Sequence, residues 1–320
     1  MRLLRSKDLA GLLSPTELVA AVERAARAAV GHNAVVPRRQ HFSFGDNSLL
    51  CMPAAWADRI GVKLVTVAPG NVARAEPLVT GVMIFNDAKS GHPLALLDAG
   101  QLTALRTGAV GALAIRETTP ADLVRVGVIG AGVQAISHAI FATCVRSVRQ
   151  LAFYARSHAS AERFVAGVEG HLEGIELIRC ASAHEVISNS ELIITATNAS
   201  KPVLPDDPRL LAGRHYLAVG SFKPQMRELP AGLFQHAQNI VVDSDAACEE
   251  SGDLVGPLAE SLLPKNAVIH LGELLEGRRE IDRSGTTVAK TVGHALYDLA
   301  VAKALVEAAE NTHVGLEFEM

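Results

Sequence analysis

The stretch Arg125-Val126-Gly127-Val128-Ile129-Gly130-Ala131-Gly132-Val133-Gln134-Ala135 decides the fold. It reads as a buried strand running into a glycine-punctuated turn and then a helix, the architecture of a dinucleotide-binding site. Gly130 permits the tight turn, and Gly132 lets the backbone approach a pyrophosphate with no Cβ in the way. Ala135 stands where a third glycine would allow close helix–strand packing. A helix opening at Val133 and Gln134 presents free N–H groups and a partial positive charge to an anion.

Outward from this turn, strand and helix signals alternate as in a parallel sheet with crossover helices. Strands are expected at 125–130, 150–155, 175–179, 192–197, 215–220 and 239–243, with helical runs at 133–145, 160–170, 182–188 and 228–235. Such an order makes a doubly wound, Rossmann-type α/β domain. The N-terminal part reads as α+β. An amphipathic helix over 14–30 opens at Ser14-Pro15, strand-like segments follow at 49–52, 60–67 and 80–86, and a helix covers 99–116. Apolar spacing from Val288 to Val306 predicts one long helix over 285–310 that returns to the N-terminal domain. The expected division is a nucleotide-binding domain at 119–299 and a discontinuous domain at 1–118 plus 300–320.

Composition narrows the function classes. With 320 residues, 49% hydrophobic and 20% charged, the chain can bury a large core, which argues against disorder. A net charge of −4 and a pI near 6.3 leave no basic footprint for nucleic acid. Residues 126–145 carry no Asp, Glu, Lys or Arg, yet Gly127, Gly130, Gly132, Gln134, Ser137 and His138 interrupt the run. A buried strand plus helix explains it better than a membrane span. Charges interleave with apolar residues over 1–30, without the uncharged core of a signal peptide, so a cytoplasmic enzyme is expected. Cys51, Cys144, Cys180 and Cys248 form no CxxC pair and the histidines no HExxH, so no metal is expected.

The second strand of an NAD-preferring site usually ends in Asp or Glu, which accepts from the ribose 2′-OH. Here Tyr154-Ala155 runs instead into Arg156-Ser157-His158. A guanidinium and a hydroxyl at that place suit a 2′-phosphate, which a carboxylate would repel. NADPH is therefore the expected cofactor, with NAD(H) as the alternative.

Away from the turn, the segment Asp98-Ala99-Gly100-Gln101-Leu102-Thr103-Ala104-Leu105-Arg106-Thr107-Gly108-Ala109 is preceded by Gly61-Val62-Lys63-Leu64-Val65 and Pro69-Gly70-Asn71. Together with Pro202-Val203-Leu204, the run from Val219-Gly220-Ser221 to Glu228, and Gly293 and Asp298, these segments resemble the ornithine cyclodeaminase/μ-crystallin family over nearly the whole chain. The resemblance implies a homodimer, with the discontinuous domain supplying substrate binding and dimerisation. It also implies a small carboxylate substrate held by Arg39, Lys63 and Arg106, with Thr80 as a further contact and Arg38 competing with Arg39 to face the site. Lys63 in a strand-like apolar run and Arg106 on a largely apolar helix are costly to bury unless paired or functional. The resemblance further implies that Thr107 donates to the cofactor phosphates, that Thr195, Thr197 and Asn198 border the cofactor, and that Gly220 and Ser221 lie by the nicotinamide.

Two departures separate the family's activities. Cyclodeaminases carry an Asp in Gly-Gly-Asp-x-Pro, where this chain has Gly220-Ser221-Phe222-Lys223-Pro224, and a phenyl ring cannot exchange protons. They also carry a Glu two residues before Met-Pro, where Leu50 precedes Cys51-Met52-Pro53. The pattern is similar to that of the Δ1-pyrroline-2-carboxylate and Δ1-piperideine-2-carboxylate reductases. It implies NADPH-dependent reduction of a cyclic ketimine carboxylate to L-proline or L-pipecolate, with Phe222 as an apolar wall for the ring. Ornithine cyclodeaminase with NAD, an alanine dehydrogenase and a non-catalytic NADPH-binding crystallin are the alternatives. The ring-nitrogen proton is expected from Lys63 or from water.

Overall fold

A computed structural model describes residues 1–31, 33–74, 76–263 and 265–319, with the backbone alone for Lys265. The chain divides into two units, 1–106 with 294–320, and 107–293. The first divide lies inside the helix Ala99–Thr118 and the second just before the helix Ala295–Thr312. From sequence, divides are expected at 118/119 and 299/300, at the end of the first helix and inside the second.

In the first unit, strands β1 (Arg2–Leu4), β2 (Ala34–Val35), β3 (Gln40–Phe44), β4 (Asn47–Trp56), β5 (Arg59–Val67), β6 (Val79–Asp87) and β7 (Pro93–Asp98) share one sheet with a closing strand, Leu316–Glu317. β4 to β7 form an antiparallel meander. Its two-residue alternation puts Leu50, Met52, Ala54, Val65, Met83 and Phe85 on one buried face. The helix Ala295–Thr312 packs on that face and against the helix Pro15–Val30. Ser14 and Glu17 cap the latter reciprocally, with Pro15 as its first residue, which fixes where it starts. Gly61 has no side chain for a physical reason. A Cβ there would stand 2.7 Å from the Ile84 carbonyl and the Met83 side chain and 3.1 Å from Leu299, so its absence lets the C-terminal helix lie close on β5.

In the second unit, β8 (Arg125–Ile129), β9 (Gln150–Tyr154), β10 (Glu176–Arg179), β11 (Leu192–Thr195), β12 (His215–Ala218), β13 (Asn239–Val242), β14 (Val268–His270) and β15 (Thr287–Lys290) are all parallel. Their order is β10-β9-β8-β11-β12-β15-β13-β14, so the doubly wound α/β class expected from the sequence is the one observed. The expected helix over 285–310 is corrected. Thr287–Lys290 is a fully buried strand inserted between β12 and β13, and the helix starts only at Ala295. Gly293, at φ +84, ends the strand connection in a conformation that interrupts a helix. Apolar spacing misled because a strand buried on both faces is apolar at every position. Among the described residues, no helix is long and apolar enough to cross a membrane.

Candidate active site

In the first unit, cations gather about one carboxylate. Lys63 stands on the buried face of the sheet, with Met52 and Met83 as its cross-strand neighbours. Asp298, in the first turn of the helix Ala295–Thr312, accepts from Lys63 Nζ at 2.7 Å through Oδ1. The same oxygen lies 2.9 Å from Arg106 Nε, and the three side chains are 1%, 1% and 7% exposed for Lys63, Asp298 and Arg106. A carboxylate in the first helical turn is favoured by the helix dipole. Arg106 makes no other polar contact among the described residues, and its Nη1 and Nη2 are not sealed from solvent.

Burial first, then the Arg106 guanidinium and a smaller push from Arg39, lower the Lys63 ammonium to about 7, while Asp298 opposes them. A lysine in that range can give up a proton near neutral pH. Half-buried Arg39 thus bears on Lys63, whereas Arg38 is exposed. Thr80 is not brought to this cluster. It pairs with Thr66 and shares a face with Val82, opposite the face that carries Lys63 and Met83.

In the second unit, the dinucleotide turn has the geometry its glycines imply. Gly130 sits at φ +124, and a Cβ there would come 2.4 Å from the Ala196 carbonyl. A Cβ on Gly132 would meet nothing within 4 Å, so the glycine leaves an open cradle at the start of the helix Val133–Thr143. That helix has no side-chain cap, Val133 at its head is 66% exposed and Gln134 is half-buried. Uncapped N–H groups over an open glycine fit a pyrophosphate. Buried Thr107 precedes Gly108, whose hydrogen faces Ser137 and Phe141 of the same helix. Arg156 is exposed just past β9 and makes no hydrogen bond or ion pair with the described residues. Ser157 is committed otherwise: its hydroxyl caps the helix His158–Val168 by accepting from Ser160 N.

The ends of β11 and β12 are clasped by a residue given no role from sequence. Glu228 is fully buried; its Oε1 accepts from Thr197 N and Oγ1, both at 2.7 Å, and its Oε2 from Thr195 Oγ1 at 3.0 Å and Gly220 N at 2.6 Å. Burial pushes its carboxyl up and Lys290 opposes. Asp253 Oδ1 accepts from Glu228 N and Leu229 N, and Asp253 Oδ2 lies 3.2 Å from the buried Lys290 Nζ. Only glycine fits at 220, since a Cβ there would stand 1.9 Å from the Thr197 carbonyl. Ser221 is likewise buried, donating to the Met226 carbonyl and sharing a 2.9 Å contact with Ser251 Oγ. The hydroxyls of Thr195, Thr197 and Ser221 therefore hold the loop frame. Asn198 is exposed, and Phe222 is half-buried with the Lys223 ammonium 5.6 Å from its ring centroid.

Asp298 and Glu228 lie in segments that carry the family resemblance, but nothing in the local sequence distinguishes them from solvated acids. A charged residue inside a strand, as at Lys290, was the available signal, and the helical reading of 285–310 hid it.

A dinucleotide turn on a doubly wound sheet, with a cationic cluster in the first unit, fits the class of nicotinamide-dependent oxidoreductases. The chain belongs to the ornithine cyclodeaminase/mu-crystallin family, whose model matches residues 3–313. It is 34% identical over 330 residues to the Δ1-pyrroline-2-carboxylate reductase of Bacillus thuringiensis subsp. konkukian, with each chain covered in full. The structure of Thermococcus litoralis Δ1-pyrroline-2-carboxylate reductase in complex with NADH and L-proline matches with a TM-score of 0.94 at 31% identity, covering 99% of this chain and 100% of that one. An archaeal alanine dehydrogenase dimer with bound NAD matches with a TM-score of 0.92 at 28% identity, covering 100% and 99%.

Proposed function

We propose that the protein reduces a cyclic ketimine carboxylate, Δ1-pyrroline-2-carboxylate or Δ1-piperideine-2-carboxylate, to L-proline or L-pipecolate with NADPH. The observation that carries the proposal is Arg106: its Nε edge is ion-paired with buried Asp298 at 2.9 Å while Nη1 and Nη2 are left for a ligand. Two parallel N–H donors match a carboxylate bidentately. Arg39 adds charge, and Lys63 stands beside Arg106 on the same Asp298 oxygen. The substrate carboxylate forks onto Arg106 and its ring nitrogen takes a proton from the Lys63 ammonium, which is then neutral and regains a proton from solvent. When bound, the nicotinamide supplies the hydride that C2 accepts as C=N becomes CH–NH. Positioning supplies most of the rate, because a protonated imine is already electrophilic.

Gly130, Gly132, the N–H groups of Val133 and Gln134 and the Thr107 side chain would hold the pyrophosphate, Asn198 would border the cofactor and Gly220 would lie by the nicotinamide. Arg156, without a protein partner among the described residues, would take the 2′-phosphate and favour NADPH over NADH. Phe222 offers a ring where the cyclodeaminases have a carboxylate, and Leu50 is buried and apolar, so neither site can handle a distal ammonium. Relatives named for this reaction support the same substrate class. A homodimer fits the sheet face opposite Lys63, which exposes Leu49, Ile60 and Val82, and a structural neighbour is described as a dimer.

The test is direct. With NADPH and Δ1-pyrroline-2-carboxylate, the nicotinamide absorbance should fall stoichiometrically with L-proline formed. Ammonia released from ornithine with NAD and no net cofactor turnover would instead establish a cyclodeaminase.

A further inference from the structure

We propose that Asp298 is a positioning residue of the reaction: by taking the Lys63 ammonium and the Nε edge of Arg106 on one oxygen, it turns the Nη edge of Arg106 toward a substrate carboxylate and keeps a protonated lysine beside it. The proposal rests on the ketimine-carboxylate reading above and deepens it.

Three observations carry it. First, the contacts are on one atom: Lys63 Nζ donates to Oδ1 at 2.7 Å and Arg106 Nε forms an ion pair with the same oxygen at 2.9 Å without hydrogen-bond geometry, while Oδ2 is buried without a hydrogen-bond partner. Most buried carboxylate oxygens are satisfied, as in Asp243 of the other unit, whose Oδ1 accepts from Val292 N and whose Oδ2 accepts from Val292 N and Gly293 N. Second, placement is specified by the fold: the glycine at 61 admits the C-terminal helix, and Leu299, which fills that space, is the residue next to Asp298. Third, the surroundings leave no substitute. The charged groups that bear on Lys63 are Arg106 from the helix Ala99–Thr118, Arg39 from the segment before β3 and Asp298 from the C-terminal helix, while its strand neighbours Met52 and Met83 are neutral. Of these, Asp298 alone favours the charged lysine; burial and both guanidinium groups oppose it.

The sign of the pH effect follows. A proton donor loses activity as pH rises through its pKa, so removing the one anion should move the alkaline limb of kcat/KM to lower pH. The experiment compares wild type with Asp298→Asn, which keeps shape and removes charge. It measures the pH profile of kcat/KM for Δ1-pyrroline-2-carboxylate with NADPH, and binding of pyrrole-2-carboxylate, a planar carboxylate that cannot be reduced, by calorimetry at pH 6. Substrate ionisation is common to both proteins and cancels in the comparison. The expected result is a limb displaced downward by about one pH unit or more, hence about tenfold or more lost at pH 8, with the carboxylate bound at least as tightly because an internal anion no longer competes.

An unmoved limb would overturn the proposal and leave Asp298 structural. Failure of wild type to bind the carboxylate or reduce the ketimine would instead sink the parent reading. Should Asp298→Asn not fold by circular dichroism, Asp298→Glu decides: kcat lowered with the limb in place supports positioning by charge, and a displaced limb refutes it.

Discussion

Lys63, Arg106 and Asp298 in one unit and Glu228, Asp253 and Lys290 in the other are both buried, mixed in sign and three-membered, yet they are built to opposite ends. The first has two cations to one anion and leaves the Nη edge of Arg106 over. The second has two anions to one cation, and its carboxylates accept the backbone N–H groups of Thr197, Gly220, Glu228 and Leu229. Surplus donors with an open edge suit an anion, whereas surplus acceptors, three of whose four oxygens take N–H or O–H donors, fix two strand ends. Burial is common to both, so the sign of the surplus is what distinguishes them.

Removing the lysine from each cluster should separate the two most strongly. Lys290→Met leaves Glu228 and Asp253 buried without a cation, and should cost about 3–5 kcal/mol in urea unfolding. Lys63→Met leaves Arg106 still paired with Asp298, and should cost less than about 1 kcal/mol while abolishing turnover. Equal losses would mean that both clusters are scaffold. The pH dependence of stability sharpens the point. Lys63 is held near 7 in the fold against 10.5 ordinarily, so between those values the unfolded chain binds more protons and this group's contribution to stability rises with pH. Lys63→Met should remove that rise.

Next in size is Arg106→Lys, which keeps charge and removes the planar fork. A loss of about 10²-fold in kcat/KM is expected for a bidentate carboxylate contact. Steady-state kinetics with the ketimine checks it, and an unchanged value would reassign the anion to Arg39 alone.

How much of this was legible beforehand differs between the two clusters for a physical reason. Lys63 and Arg106 stood out because each is a lone charge in an apolar segment, a pattern that one strand or helix displays by itself. Glu228, Asp253 and Asp298 did not, because a buried acid looks like a solvated one until its partners, distant in sequence, are placed around it. Thr195, Thr197 and Ser221 stand at the strand ends that the spacing predicts, but their hydroxyls turn inward to Glu228, Met226 and Ser251. The doubly wound sheet was readable from strand spacing, while β15 was lost to the same apolar run that makes it a core strand.

A smaller effect is expected at the cofactor. Arg156→Asp should weaken NADPH binding relative to NADH by about 10–10²-fold, as a carboxylate replaces a guanidinium opposite the 2′-phosphate. Fluorescence titration of the two reduced cofactors measures the ratio, and equal weakening would detach Arg156 from the choice between them.

The smallest effect tests the boundary of the first cluster. Thr80 and Lys63 lie on neighbouring strands, but the register pairs Lys63 with Met83 and Thr66 with Thr80, so the two side chains leave opposite faces of the sheet. A hydroxyl there cannot reach a carboxylate bound by Arg106 on the buried face, whereas it sits beside exposed Val82 on the face proposed to meet a second copy. Thr80→Val, which swaps the hydroxyl for a methyl, should therefore leave kcat/KM within about twofold, as for a surface change away from the chemistry. Thr80→Lys should leave it within the same range per folded protomer yet weaken self-association in sedimentation, since a charge would enter an apolar patch. A tenfold fall in kcat/KM for the valine variant would place the substrate on the other face and undo the assignment of Lys63, Arg106 and Asp298 as one site.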